Sequence, residues 1–119
     1  MKWKFKENYY ESVSKWENII SILENSITPN ISSFYRVCGF CAEAKSVSLF
    51  GNHIKMFKNE YCSKCALFLS KKCSNVKDPD VLFWKIIHLL FNQKGPRSHK
   101  KALEHSKEML AKIKECAPE

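Results

Sequence analysis

The chain has 119 residues, a length typical of one domain, and we expect a single domain over residues 1–119. Lysine and arginine outnumber aspartate and glutamate by 20 to 12, and this excess favours anionic partners such as nucleic acid or acidic protein surfaces. The sequence opens without the apolar run of a signal peptide, and its most apolar stretch, 81–91, is too short to span a bilayer. We therefore expect a soluble, cytoplasmic protein that does not enter a membrane.

Periodic apolar residues predict an N-terminal helix over 7–28. Their spacing of three and four residues is the period of one helix face. These residues are Val13, Trp16, Ile20, Leu23 and Ile27. The helix should end before Pro29, because the residue that precedes a proline is disfavoured in the α region.

Residues 34–77 hold five of the six cysteines and show little sustained periodicity; we call them the cysteine module. Intracellular thiols are normally kept reduced, so metal ligation explains this cluster better than disulfides do. Within the module, residues 46–57 fit either a short hairpin or two helical turns. The predicted fold class is mainly α, a small helical domain with a zinc-knuckle insert of treble-clef or ribbon-like type.

The cysteine spacing carries the strongest motif in the chain. Cys38 and Cys41 are separated by two residues, twenty residues follow, and Cys62 and Cys65 repeat the two-residue spacing. Such a spacing lets a tight turn aim both sulfurs at one tetrahedral cation, and two such turns complete a structural zinc site. We therefore predict Zn²⁺ bound by these four cysteines. Cys73 is an alternative ligand, and an iron–sulfur cluster, which also takes four cysteines, is the less favoured cofactor.

The cysteine module is also basic, with seven lysines against one acid between residues 45 and 77. Zinc held by four thiolates carries two negative charges, so part of this excess compensates the metal centre. The remainder, together with a second basic run near residue 97, predicts a surface that binds phosphates. The residues assigned to that surface are Lys55, Lys58, Lys64, Lys71, Lys72, Lys94, Arg97, Lys100 and Lys101.

Two further helices are predicted over 78–116. The first should begin at Asp78-Pro79, because aspartate caps free amide groups and proline fits the first helical position. It is apolar on most sides, which predicts burial in the core or against a partner. After a Gly-Pro break, Ser98 is predicted to cap a last helix that ends near Glu115. Its inward residues should be Leu103, Ser106, Met109, Leu110 and Ile113.

The four histidines and the last cysteine are predicted mainly as structural or surface residues. His53 is a candidate ligand, although a lone histidine in a loop is more commonly a surface residue. His88, in the apolar helix, should be a core or interface residue that hydrogen-bonds to a neighbour. We expect His99 and His105 to be solvated, and Cys116 to act as a small apolar residue.

The order of these features resembles a group of small cysteine-rich proteins from prokaryotic and phage genomes. The resemblance rests on ESVSKWENII, CGFC, CSKCALF, KKC and HKKALEHSKEML. It places Ser12 and Trp16 on a leading helix, followed by two CxxC pairs and a fifth cysteine. Ala66 stands where the group commonly has proline, and Ser74-Asn75 replaces its Thr-Pro. Because the group has no established activity, the resemblance implies metal binding and a mobile-element origin without naming a task.

Two functions fit these patterns. The first is a structural-zinc, nucleic-acid-binding regulator of mobile-element type, from a phage or virus, whose aromatics near residues 3–10 stack on exposed bases. The second is a zinc-stabilised adaptor or inhibitor of a host machine, which contacts a protein partner or forms a homodimer through helix 79–92. An enzyme is disfavoured, because no catalytic triad, phosphate-binding glycine loop or paired buried carboxylates emerge and a four-thiolate zinc site is closed.

Overall fold

The structure, a computed structural model, describes residues 1–34, 38–49, 81–93 and 95–119. Within these ranges every regular element is helical, which confirms the predicted mainly α fold. The elements are α1 (Lys6–Glu24), α2 (Ile31–Phe34), α3 (Gly39–Ala44), α4 (Leu82–His88), a π-helical segment (Leu89–Gln93) that continues α4, and α5 (Pro96–Lys114). Most of the predicted zinc-knuckle insert lies outside the described residues.

Helix α1 ends at Glu24, earlier than the predicted end at residue 28. Ser26 adopts the left-handed conformation, with φ of 59°. Its amide donates to the Leu23 carbonyl at 3.0 Å, and the Ile27 amide donates to the Ile22 carbonyl at 3.2 Å. This pair of bonds is a Schellman motif, which satisfies the last helical carbonyls and turns the chain away. The inclusion of Ile27 in the apolar stripe was therefore wrong, and its side chain is 58% exposed.

Helix α4 and the π-helical segment carry the apolar stretch predicted to be buried. The helix begins at Leu82 with Val81 as its extended N-cap, so it starts later than predicted; Asp78-Pro79, the predicted start, lies outside the described residues. From Val81 to Gln93 the apolar side chains are all buried or half-buried. The Asn92 amide donates to Nδ1 of His88 at 3.0 Å, so the predicted hydrogen bond of that histidine is confirmed. In the described part of the chain, no helix is long and apolar enough to cross a membrane.

Helix α5 begins with Pro96, and Gly95 is its N-cap with φ of 133°. That backbone conformation suits glycine, which has no Cβ to clash. The prediction that Ser98 caps the helix was wrong: it lies inside the first turn, and its hydroxyl donates to Gln93 Oε1 at 3.5 Å. The helix ends at Lys114, as predicted to within one residue.

The core joins the five helices of the described residues, and α1 contacts both α3 and α5 directly. On α5 the predicted inward stripe is confirmed, because Ser106, Met109 and Ile113 are buried while Leu103 and Leu110 pack partly buried against the core. The buried core residues are Tyr9, Trp16, Ile19, Leu23, Phe34, Phe40, Leu82, Ile86, Ile87, Leu90, Ala102, Met109 and Ile113. Burial of this apolar surface is the main stabilising term of the fold.

Candidate metal centre

One face of α1 carries three buried polar side chains, Asn8, Ser12 and Lys15. Their spacing of four and three residues stacks them along one side of the helix. The Ser12 hydroxyl donates to the Asn8 carbonyl at 3.1 Å, and the Lys15 ammonium donates to the Phe34 carbonyl at 2.9 Å. Burial of such groups costs free energy unless they are hydrogen-bonded. The buried polar groups on this face of α1 therefore require hydrogen-bond donors or acceptors on the elements packed against it.

Asn8 fixes α3 and the residues after it to the start of α1. Its amide nitrogen donates to Glu43 Oε2 at 2.9 Å and to the Val47 carbonyl at 3.3 Å, while its oxygen accepts from the Leu49 amide at 3.0 Å. Glu43 also accepts from the backbone amide of Phe5, the N-cap of α1, at 3.2 Å. A side chain that bonds three separate groups holds the two segments in one register.

Gly39 lets α3 approach α1 at the closest point of this contact. A Cβ atom at this position would collide with the backbone carbonyl of Asn8 and with the Ser12 hydroxyl. Glycine is needed because of this backbone approach, and not because of an unusual φ. The contact determines where the start of α3 lies, and this segment carries Cys38 and Cys41, the first two predicted metal ligands.

Cys38 and Cys41 lie together at the start of α3. Cys38 is the N-cap of the helix, and Cys41 lies in its first turn. Both side chains are half-buried, and they are in hydrogen-bonding contact. The two sulfurs of this CxxC motif are therefore neighbours at the start of α3.

The surroundings favour the thiolate form of Cys38. The hydrogen bond from Cys41 is the largest cause that lowers the pKa of the Cys38 thiol, to about 6, against the opposing effect of burial. The positive charge of Lys15 and the amides of the first turn of α3 lower this pKa further. Thiolate, not thiol, is the metal-binding and nucleophilic form of cysteine. The site therefore presents at least one sulfur in the form that a cation requires.

The Lys15 ammonium, whose charge acts on Cys38, has a defined set of close contacts. Besides its bond to the Phe34 carbonyl, its ammonium lies 5.6 Å from the ring centroid of Trp16 and 5.8 Å from that of Phe83. A cation over aromatic faces is stabilised by the negative charge density of the rings. The side chain is only 6% exposed, so its charge acts through a medium less polarisable than water.

The remaining predicted ligands, Cys62, Cys65 and Cys73, lie outside the described residues, as does His53. Among the residues that the structure describes, no group of three or more histidine, cysteine, aspartate or glutamate side chains is placed to hold a metal. The described part therefore contains one half of the predicted donor set. Two adjoining sulfurs, one of them favoured as thiolate, suit a soft or borderline cation such as Zn²⁺.

The described part of the predicted phosphate-binding surface lies at the start of α5. Arg97, Lys100 and Lys101 are all exposed, and the first turn of α5 contains no acid. Their spacing of three and four residues places Arg97 beside both lysines on the helix surface. The other predicted members, five of them in the cysteine module and Lys94, lie outside the described residues.

His99 and Cys116 both pack against other parts of the fold. His99 was predicted to be solvated, but it is half-buried, and its Nε2 donates to the Leu23 carbonyl at 2.9 Å. It therefore ties α5 to the C-terminus of α1, where exposed carbonyls attract a donor. Cys116 packs against the core, and burial raises the pKa of its thiol, as expected for a small apolar residue.

Comparison of the chain with protein-family models, with curated proteins and with solved structures finds no match.

Proposed function

We propose that this chain is a small metal-organised helical protein that binds nucleic acid through a basic surface. The observation that carries the metal assignment is the contact between the Cys38 and Cys41 side chains, at a helix start held against α1 by Gly39. Zn²⁺ is the cofactor best suited to this pair, and Cys62 and Cys65 would complete the site. The metal would tie the cysteine module to α3 and thereby to the core.

Metal analysis with thiol counting tests the first half of this proposal. We expect about one zinc ion per chain for a four-thiolate site, and fewer reactive thiols before chelation than after it. Cys38→Ser should abolish uptake, whereas the matched control Cys116→Ser should retain it. Cys73→Ser decides whether that residue replaces one of the four ligands.

Three results would contradict the zinc assignment. Iron and sulfide in place of zinc would assign an iron–sulfur cluster. A disulfide between Cys38 and Cys41 in protein purified without oxidant would instead indicate a redox pair, because a cysteine with a lowered pKa at a helix start also suits thiol exchange. Uptake that Cys38→Ser leaves intact would exclude α3 from the site.

The basic surface supports the second half of the proposal. Arg97, Lys100 and Lys101 are exposed at the start of α5, whose first turn contains no acid, and the formal net charge of the chain is +8. Phosphates bound by such residues release condensed counterions, so affinity should fall steeply as salt rises. The triple variant R97A/K100A/K101A should reduce the slope of log affinity against log salt by about 2 to 3.

A second triple variant on the same helix is the matched control. K107A/K112A/K114A removes the same charge from the other end of α5 and should change the salt slope by less than about 1. Equal effects of the two triple variants would mean that net charge alone drives binding. If the chain does not bind nucleic acid at low salt, or binds it with an affinity that does not change with salt, the nucleic-acid proposal is wrong.

The adaptor function has less support. It requires the apolar stretch 79–92 to present a surface to a partner, yet Leu82, Ile86 and Leu90 are buried within this chain. Phe83 and Phe91 are half-buried and pack against the same core. Light scattering that shows a stable dimer would nevertheless favour the adaptor over a monomeric nucleic-acid binder.

A further inference from the structure

A cavity of about 420 Å³ opens where the loop after α1 meets the π-helical segment and the start of α5. This volume lies within the range of roughly 300–1,000 Å³ that is typical of small-ligand sites. The cavity is lined by Thr28, Leu89, Leu90, Phe91, Gly95 and His99. The π-helical segment supplies three of them in succession, and a π-helical turn is a rare element that is frequent at functional sites. The cavity is therefore a candidate ligand site of its own, since none of its lining residues belongs to the candidate metal centre.

The lining of this cavity has an apolar side that contains an aromatic ring. Leu89, Leu90 and Phe91 supply this side. The Phe34 ring packs edge-on against the Phe91 ring, with the two centroids 5.9 Å apart, and holds it in place. Aromatic side chains stack on the faces of unpaired nucleobases. The apolar side therefore suits a flat heterocyclic ring.

Thr28 and His99 supply hydrogen-bonding groups on the other side of the cavity. Nε2 of His99 donates to the Leu23 carbonyl, so Nδ1 of the neutral ring is an acceptor. In the part of the chain that the structure describes, neither this nitrogen nor the Thr28 hydroxyl has a protein hydrogen-bond partner. A hydroxyl both donates and accepts. A ring with donors and acceptors on its edge, as in a nucleobase, therefore matches both sides of the cavity.

Basic residues continue from the cavity around the start of α5, and all three of them are exposed. A helix turns by about 100° per residue, so Lys100 is the basic residue nearest to His99 around the helix. Arg97 and Lys101 lie farther round. An anionic strand can therefore contact Lys100 with one phosphate and the other two residues with neighbouring phosphates. A free nucleotide lacks those neighbouring phosphates, so the arrangement favours a strand.

We propose that this cavity receives one unpaired nucleobase of a single-stranded nucleic acid, while the basic residues at the start of α5 bind the adjoining phosphates. The inference rests on the nucleic-acid binding proposed above, and it names the form of nucleic acid that this surface selects. A base of an intact duplex enters a protein cavity only at the cost of unpairing and unstacking it. The cavity therefore favours single strands, whereas phosphate contacts alone carry no such selection.

Variants of the cavity lining test this selection on the full chain. Phe91→Leu keeps an apolar side chain but removes the aromatic face, and Thr28→Leu removes the hydroxyl and fills part of the cavity from an exposed position. Ile27→Ala is the matched control, because Ile27 is exposed in the same loop and does not line the cavity. Affinity is measured by fluorescence for a short oligothymidylate with one central fluorescent adenine analogue, for its duplex with the complementary strand, and for the analogue as a mononucleotide.

We expect Phe91→Leu and Thr28→Leu to weaken single-strand binding by about 5- to 100-fold, as the loss of one stacked base does, and to reduce the change in the emission of the analogue. Their affinity for the duplex should stay within about twofold of that of the parent chain, because the phosphate contacts remain. Ile27→Ala should match the parent for every probe. Equal single-strand affinity in Phe91→Leu and the parent overturns the inference, as does an equal loss for single strand and duplex.

Three further outcomes are separable from these. A parent chain that binds neither single strand nor duplex refutes the nucleic-acid proposal and this inference with it. A parent that binds both equally, with no change in the emission of the analogue, refutes only the inference. A mononucleotide that binds as tightly as the strand assigns the cavity to a free nucleotide, which also overturns the inference. If Phe91→Leu loses helicity by circular dichroism, Thr28→Leu gives the decisive comparison, because Thr28 lies outside the helices.

Discussion

Helix α1 packs on two sides by different means. Towards α5 it buries apolar side chains such as Ile19 and Leu23 in the common core. Towards α3 it presents Asn8, whose side chain bonds Glu43 and the two residues Val47 and Leu49 after the helix, and Ser12, which lies against Gly39. Apolar burial stabilises without fixing direction, whereas hydrogen bonds require particular distances and angles. The apolar side therefore supplies most of the stability, and the polar side positions the residues that adjoin Cys38 and Cys41.

The largest effect should come from the apolar side. Ile19→Ala leaves a cavity at a fully buried position, and we expect it to lower the free energy of unfolding by about 4 kcal/mol. The measurement is urea denaturation followed by circular dichroism, at one fixed metal concentration. Ile27→Ala is the matched control, because that side chain is 58% exposed and its loss should cost less than about 0.5 kcal/mol. A loss below about 1 kcal/mol for Ile19→Ala would contradict the packing of α1 into the core.

The polar side should respond in a different way. Gly39→Ala introduces a Cβ that meets the backbone of Asn8, so α3 must move, at a cost of about 3 kcal/mol in unfolding free energy. Because α3 carries the cysteines, the rate at which Cys38 reacts with a thiol reagent should change as well. Gly95→Ala provides the contrast: it meets no atom within 4 Å and strains only the backbone, so it should destabilise the protein without altering that rate. Identical thiol reactivity in the parent and the Gly39→Ala variant would show that this close contact does not position the sulfurs.

The apolar side of this comparison could be predicted from the sequence, and the polar side could not. Side chains such as Trp16, Ile20 and Leu23 recur at helical spacing, and this period identified α1 and its buried stripe. Asn8, Ser12 and Lys15 recur at the same spacing, but polar residues on a helix are usually exposed, so the pattern gave no reason to bury them. The sequence feature that could have indicated their burial is a stripe of polar residues next to the apolar stripe of the same helix.

Helix ends were predicted less well than helix existence. Ser26 takes a left-handed conformation that the local sequence does not demand, and α1 therefore stops early. At α5 the start is set by Gly95 and Pro96, so the neighbouring Ser98 loses the capping role that its residue type favours. At the candidate metal site, the two-residue spacing of Cys38 and Cys41 leaves little freedom and accounts for the contact between their side chains, while the predicted metal stays a prediction. The lysine beside them depends on the packing of distant segments, which spacing alone does not encode.

The smallest expected effect lies at the edge of the polar side, where Glu7 accepts a hydrogen bond from the Ser48 hydroxyl at 2.6 Å. This bond lowers the pKa of the Glu7 carboxyl below its usual value of 4.5. A lowered folded-state pKa means that the stabilisation is present above the unfolded-state pKa and is lost as pH falls through the folded-state value.

Glu7→Gln should therefore flatten the acid side of the stability profile slightly, as measured by thermal unfolding across a pH series. Ser48→Ala should flatten it in the same direction but by less, because the backbone hydrogen bond of Glu7 also lowers this pKa and is kept in that variant. If Glu7→Gln flattens the acid side of the stability profile and Ser48→Ala does not, then Glu7 acts through a partner other than the segment that follows α3.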